Sequence, residues 1–371
     1  MKKLKIAFIG GGLSSTIGRA HISAIQIDGL AEIVAGAFSS KKNVNLKSGR
    51  YLNIQRNRLY EDWRDLIKNE QNKIDAVIVL TPTPMHFEII KQLIINNIPV
   101  VCEKPIVTNF KDIREINKLQ KKYKSFVSVT YNYTGYPLVR EIRKKLQKNL
   151  IGKIEYFNFE MPQDGFISKN KLHSIKEWRK QDLKIPNLCF DLGVHLNSLL
   201  KYILDIEPIS VLSDFSYFSN MNVVDNINIL LQCKNNIKGS FWFSKRAAGS
   251  RNDLKLRIYG KKGSIIWSQK NSEKIIYSNN KNKIEIIDRA GKNFECNKKR
   301  YNRYRPGHPS GFIEAFANTY FDIFQNLQYY KTNKQKSIKD ILNLSHAEKT
   351  LRFFEASFLS NKKKSWIKVK K

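Results

Sequence analysis

Lys3-Leu4-Lys5-Ile6-Ala7-Phe8-Ile9-Gly10-Gly11-Gly12 is an apolar run of strand length, broken at once by three glycines. A helical stretch follows from about Thr16 to Ile27, so the local order is strand, glycine turn, helix. Gly10 allows a tight turn, and Gly12 lets backbone approach a pyrophosphate at a helix N-terminus, where N–H groups and the helix dipole favour an anion. Ser15 stands where the Gly-x-Gly-x-x-Gly pattern has its third glycine. Ser14, Thr16 and Gly18 point to a slightly longer loop, in which the hydroxyls of Ser14 and Ser15 supplement the backbone donors.

Outward from this turn, apolar runs at Glu32 to Phe38, Asp75 to Leu80, Pro99 to Cys102 and Phe126 to Thr130 alternate with helical segments near Trp63 to Lys68, His86 to Asn96 and Phe110 to Lys122. Alternating strand and helix predicts an α/β Rossmann domain, a doubly wound parallel sheet, over residues 1–132. After Tyr133 the pattern changes to a helix near Leu138 to Asn149, followed by strand-like segments. These run Lys153 to Glu160, Ile209 to Phe218, Asn226 to Gln232, Lys238 to Ser244, Leu254 to Gly260, Gly263 to Ser268 and Lys274 to Tyr277. They predict a C-terminal α+β domain over 133–371, with a mostly antiparallel sheet and helices on one face. Helices at Pro309 to Tyr330 and Ile338 to Leu359 and a strand at Ser365 to Val369 close the chain, the C-terminal helix being able to pack back on the first domain.

The 371 residues suit two domains, and 42% hydrophobic with 26% charged residues is an ordinary globular balance. The formal charge of +34 is large. Its lysines are spread along the whole chain, however, without a helix-turn-helix, zinc-finger or RNP-like motif, so no nucleic-acid partner is expected. No apolar run reaches about 18 residues and the N-terminal stretch lacks signal-peptide form, so the expectation is a cytoplasmic protein with no membrane partner. Cys102, Cys189, Cys233 and Cys296 are scattered, which suggests buried free thiols and no metal.

Candidate groups lie at the ends of these elements. Ser39-Ser40-Lys41 ends the second strand without an acid, so the site accommodates NAD or NADP, the hydroxyls and Lys41 being able to receive a 2′-phosphate. Thr81-Pro82 and His86 follow the third strand, on the sheet edge where cofactors lie. Glu103-Lys104-Pro105 follows the fourth, where a lysine near a nicotinamide cation and desolvated walls can have its pKa lowered into a useful range. Asp191 and His195 are four residues apart, on one face if that segment is helical, and suit a substrate-binding carboxylate beside a proton relay.

In this order and spacing the residues resemble the Gfo/Idh/MocA family of oxidoreductases. The stretches Tyr131 to Pro137 and Gly307 to Asn318 look like the branch holding inositol, levoglucosan and glucoside 3-dehydrogenases. The resemblance implies hydride transfer between NAD or NADP and a secondary alcohol or ketone carbon of a sugar, glycoside or cyclitol, in a homodimer or homotetramer, with a large, mostly antiparallel open sheet in the second domain for substrate binding and oligomerisation. It implies that Gly10, Gly12, Ser14, Ser15, Ser39, Ser40, Thr81, Pro82, His86, Glu103 and Lys104 hold the cofactor. It further implies that Lys104 polarises the reacting hydroxyl, His195 accepts its proton and Asp191 orients the substrate, with Tyr133, Trp178 and Arg179 lining the substrate side. Asn187-Leu188-Cys189-Phe190 stands where related proteins carry glycines. A non-catalytic dinucleotide- or sugar-sensing protein on the same scaffold is the alternative, although such proteins tend to lose the proton-handling groups that this chain keeps.

Overall fold

The computed structural model describes residues 3–167, 181–292, 294–332 and 340–370. The chain divides into two compact units, Met1–Gly135 with Phe312–Glu348, and Tyr136–Gly311 with Lys349–Lys371.

In the first unit β1 (Leu4–Gly10), β2 (Ala31–Ala37), β3 (Ala76–Leu80), β4 (Val100–Glu103) and β5 (Val127–Thr130) form one parallel sheet, ordered β2-β1-β3-β4-β5. The connections carry α1 (Thr16–Ile27), α2 (Lys42–Tyr51), α3 (Trp63–Glu70), α4 (His86–Ile95) and α5 (Phe110–Tyr123). The chain runs from β1 out to β2 and returns to β3 on the other side of β1, so the strand order reverses between β1 and β3. In open α/β sheets that reversal opens a crevice at the carboxyl ends of the strands. The sequence reading did not foresee α2. Lys42 to Tyr51 has no apolar stripe, and what the helix buries is Asn45, Ser48 and Gly49.

In the second unit, helices α6 (Pro137–Gln147) and α7 (Val194–Leu204) accompany a nine-stranded sheet. Its strands are β6 (Ile154–Pro162), β7 (Pro208–Ser216), β8 (Asn226–Cys233), β9 (Lys238–Ser244), β10 (Lys255–Gly260), β11 (Gly263–Ser268), β12 (Ile275–Asn279), β13 (Ile284–Ile287) and β14 (Ile367–Lys368). The order is β13-β12-β11-β10-β6-β9-β8-β7-β14, and β6 with β9 is its parallel pair. Alternation along β6 buries Phe157 and Phe159 and leaves Tyr156 exposed on the other face. Phe159 stacks on Phe241 of β9 with ring centroids 6.0 Å apart. Strand β13 escaped the sequence reading because it is an edge strand whose Ile284 and Ile286 are 69% and 66% exposed.

Two further helices are α8 (Phe312–Lys331) and α9 (Leu344–Lys363). Phe316, Tyr320, Ile323, Phe324 and Leu327 of α8 join Ile6, Phe8, Ile22, Ile25, Ile78 and Leu80 in the core of the first unit. Their spacing is one helical face. Helix α8 begins at Phe312, just after Pro309-Ser310-Gly311, rather than at Pro309. Helix α9 begins at Leu344, capped by Asn343, whose Oδ1 accepts from the His346 amide at 3.3 Å; the Ile338 expected to open it lies outside the described residues. No described helix is long and apolar enough to cross a membrane.

Candidate active site

Gly10 and Gly11 take φ values of 81° and 70°, which only glycine adopts at no steric cost. A Cβ on Gly10 would lie 2.7 Å from the backbone of Leu80 and Thr81, so β1 and β3 part at the glycine turn with no room for a side chain. The third close approach expected of the glycine pattern belongs to Gly18, not to position 15. A Cβ on Gly18 would stand 2.1 Å from the Gly11 carbonyl oxygen. Ser15 instead caps α1, its Oγ accepting from the Gly18 amide at 3.1 Å. The Gly12 amide donates to the Phe38 carbonyl at 3.2 Å and the Leu13 amide to Ser48 Oγ at 3.1 Å. Ser48 therefore ties the turn to α2, a role with no signal in the sequence.

Ser39 Oγ accepts from the Lys41 amide at 3.1 Å, and Ser40 is exposed at the end of β2. Across the strand reversal, Thr81 follows β3, and its Oγ1 is buried without a hydrogen-bond partner among the described residues. An unsatisfied buried hydroxyl costs about 1–3 kcal/mol. A glycine cradle together with such an orphan hydroxyl fits a dinucleotide across the crevice.

His86 is 1% exposed. Its Nε2 lies 2.9 Å from the Thr81 carbonyl and its Nδ1 3.0 Å from the Pro105 carbonyl. The ring thus staples the segment after β3 to the segment after β4. Burial pushes its pKa below the ordinary value, against those carbonyl contacts.

Glu103 ends β4, opposite Thr130 of β5, and its carboxylate accepts from Thr130 Oγ1. His21 Nε2 from α1 lies 3.2 Å from the same Oε2, and His21 Nδ1 lies 2.5 Å from the Tyr320 hydroxyl of α8. Burial alone would raise the Glu103 carboxyl. The hydrogen bond and charge of His21, the Lys104 ammonium and the Thr130 hydroxyl outweigh it and hold Glu103 below the usual carboxylate range. Burial and the nearby Glu103 push the Tyr320 phenol well up, so it stays protonated. Lys104, half-buried, follows Glu103 directly. The sequence reading missed His21, Thr130 and Tyr320.

Tyr133 is 4% exposed, in a turn packed on α8. A Cβ on Gly135 would meet the Ala315 carbonyl at 1.9 Å, and Asn318 Nδ2 donates to the Gly135 carbonyl at 2.9 Å. Gly135 of the first stretch thus meets Ala315 and Asn318 of the second within the first unit.

In the second unit Asp191 lies in a π-helical turn, Cys189–Gly193, and His195 in the first turn of α7. The regular helical face expected from their spacing is therefore interrupted by a wider turn, of the kind that often marks functional sites. A Cβ on Gly193 would press on the Phe354 ring at 2.7 Å. The Asp191 carboxylate pairs with the Lys245 ammonium, both side chains mostly buried, and that ammonium lies 5.4 Å from the Phe166 ring centroid. Lys245 was not foreseen; it follows β9, far from Asp191 in sequence. Asp182 accepts from the Asn187 amide at 2.9 Å and the Val224 amide at 2.7 Å, which fixes the approach to the π turn. His195 is 5% exposed. Trp178 and Arg179 lie outside the described residues.

Comparison with known proteins agrees with this arrangement. The family model described as an oxidoreductase family with an NAD-binding Rossmann fold matches residues 4–131, and the model for the GFO/IDH/MocA C-terminal domain matches residues 139–266. The chain is 28% identical to the uncharacterized oxidoreductase YfiI of Bacillus subtilis (strain 168) over 334 residues, 86% of this chain and 84% of that one. It is 22% identical to the inositol 2-dehydrogenase of Rhizobium meliloti (strain 1021) over 71% of this chain and 74% of that protein. The solved structure of an inositol dehydrogenase homolog from Azotobacter vinelandii, complexed with NADH and myo-inositol, shares the fold, with a TM-score of 0.89 at 23% identity over 99% of this chain and 98% of that one. With a glycine turn, an anchored Glu103-Lys104 pair and the Asp191-His195 turn at the positions the two matched domains cover, the chain belongs to the Gfo/Idh/MocA family of oxidoreductases.

Proposed function

We propose that the protein oxidises a secondary alcohol carbon of a sugar, glycoside or cyclitol, or reduces the matching ketone, with NAD or NADP. One observation carries the reading. The glycine turn, Thr81 and Lys104 leave the carboxyl ends of β1, β3 and β4, neighbours in one parallel sheet, at the strand reversal. The inositol dehydrogenase homolog that shares this fold was crystallised with NADH and myo-inositol, which supports the same class of ligands here.

When bound, a nicotinamide dinucleotide supplies the two-electron hydride acceptor or donor. The glycine turn and the N-terminus of α1 hold its phosphates, and Thr81 Oγ1 gains the partner it lacks among the described residues. The end of β2 carries no carboxylate to repel a 2′-phosphate, so both nucleotides remain substrates of the proposal. Lys104 polarises the reacting hydroxyl. His195 takes the hydroxyl proton as the carbinol hydrogen leaves with its electron pair, so a ketone, a reduced cofactor and a proton balance the reaction. Asp191, held by Lys245, accepts substrate hydroxyls and orients the ring. The active form in this proposal is a homodimer or homotetramer.

The test is a screen of NAD and NADP reduction against hexoses, glycosides, nucleotide sugars and inositols. Reduction with a polyol of these classes supports the reading, and no reduction with any of them contradicts it.

A further inference from the structure

Glu103 is enclosed by groups from several elements. His21 reaches it from α1 and Thr130 from β5, while Tyr320 of α8 holds the far side of the imidazole. A carboxylate only accepts, so His21 Nε2 carries the proton shared with Glu103. The Tyr320 hydroxyl lies against Nδ1 on the far side of the ring. Phenol, imidazole and carboxylate thus form one hydrogen-bonded chain, and its last member is bonded through the backbone to Lys104. His21 is fully buried, so it touches neither solvent nor any ligand of the crevice directly.

We propose that His21 is a positioning residue for Lys104, acting through the Glu103 carboxylate, with Tyr320 locking the imidazole in place. The inference rests on the proposed function, in which Lys104 polarises the reacting hydroxyl. Lys104 leaves the end of β4 between Glu103, its covalent neighbour, and Pro105, whose carbonyl lies 3.0 Å from His86 Nδ1. Removing the His21 donor takes one hydrogen bond from a mostly buried carboxylate that Thr130 still holds. The carboxylate then turns to find another donor or takes up a proton, and either response moves the Lys104 backbone. Misplacing a reacting group by about 1 Å can cost on the order of 10²-fold in rate. The titratable groups facing Glu103 are His21, His86, Cys102, Lys104, Tyr131 and Tyr320. His21 lies 3.2 Å from the carboxylate, and the Lys104 ammonium adds its charge.

The experiment compares His21→Leu, which removes the donor, with His21→Gln, which keeps one, in the full chain. For each, kcat and its pH profile are measured on a substrate found by the screen, alongside NADH affinity and thermal melting. The expected result for His21→Leu is a kcat lower by about 10²-fold, NADH affinity within about twofold of the parent, and an acid limb moved to higher pH. The limb moves up because a carboxylate deprived of its donor titrates higher. His21→Gln should recover most of the rate. Thr130→Val, which removes the other donor, should shift the profile the same way and carries the test should His21→Leu fail to fold. Two results would overturn the inference: a folded His21→Leu with parental kcat and profile, or a loss shared equally by His21→Leu and His21→Gln in step with melting temperature. Lys104→Ala serves as the reference. If it too keeps its turnover, the functional reading itself falls; if it is inactive while His21→Leu is not, only this inference falls.

Discussion

Gly18 and Gly11 are in such close approach that a Cβ on Gly18 would stand 2.1 Å from the Gly11 carbonyl oxygen. Helix α1 therefore rests directly on the glycine turn, the proposed phosphate cradle. Gly18→Ala must push turn and helix apart, and it should weaken NADH binding by about tenfold or more, equivalent to at least about 1.4 kcal/mol. Calorimetric titration with NADH and NADPH checks this. Parental affinity for both would show that the turn is not the phosphate cradle.

Lys245 neutralises Asp191 within the second unit. Removing Lys245 takes from the mostly buried Asp191 the ammonium that pairs with it, a costly loss for a charge out of water. Lys245→Met should raise KM for the polyol by on the order of tenfold, about 1.4 kcal/mol, with a smaller change in kcat, because the lost contribution is to ground-state orientation. Lys245→Arg should lie closer to the parent. Steady-state kinetics decide it, and an unchanged KM in Lys245→Met would remove Lys245 from the account.

The His86 ring is buried and its pKa is lowered from the ordinary 6.5. The unfolded chain therefore binds a proton at a pH where the folded one does not. Stability is complete above the unfolded value and declines as pH falls from there through the folded value. His86→Gln should flatten the fall in stability as pH drops below the ordinary histidine value of 6.5. Denaturant titrations at several pH values measure the slope, and parallel slopes in both proteins would refute the assignment.

The parallel sheet was legible because its strands are short apolar runs bounded by glycine, proline and polar turns. Strand β4 and the Glu103-Lys104 pair at its end could be placed from sequence alone. Helix α2 could not, since it packs through Asn45, Ser48 and Gly49 and shows no apolar period. The supports of the candidate site were hidden for a different reason. His21 and Tyr320 are 299 residues apart, and both sit on helical faces that otherwise look like ordinary core. Lys245 is one lysine in a chain crowded with them, and only the fold sets it against Asp191. Local pattern therefore reported the groups that follow strands, while the side chains that hold them in place come from distant segments.

The central claim is that Lys104 handles the hydroxyl in a nicotinamide-dependent oxidation. The most direct measurement is the rate of nicotinamide reduction by the parent protein and by Lys104→Ala, on the best polyol from the screen, with cofactor affinity measured on the same preparations. The account predicts a kcat lower by about 10² to 10⁴ in the variant, with little change in cofactor affinity. Equal turnover by the two proteins would contradict it.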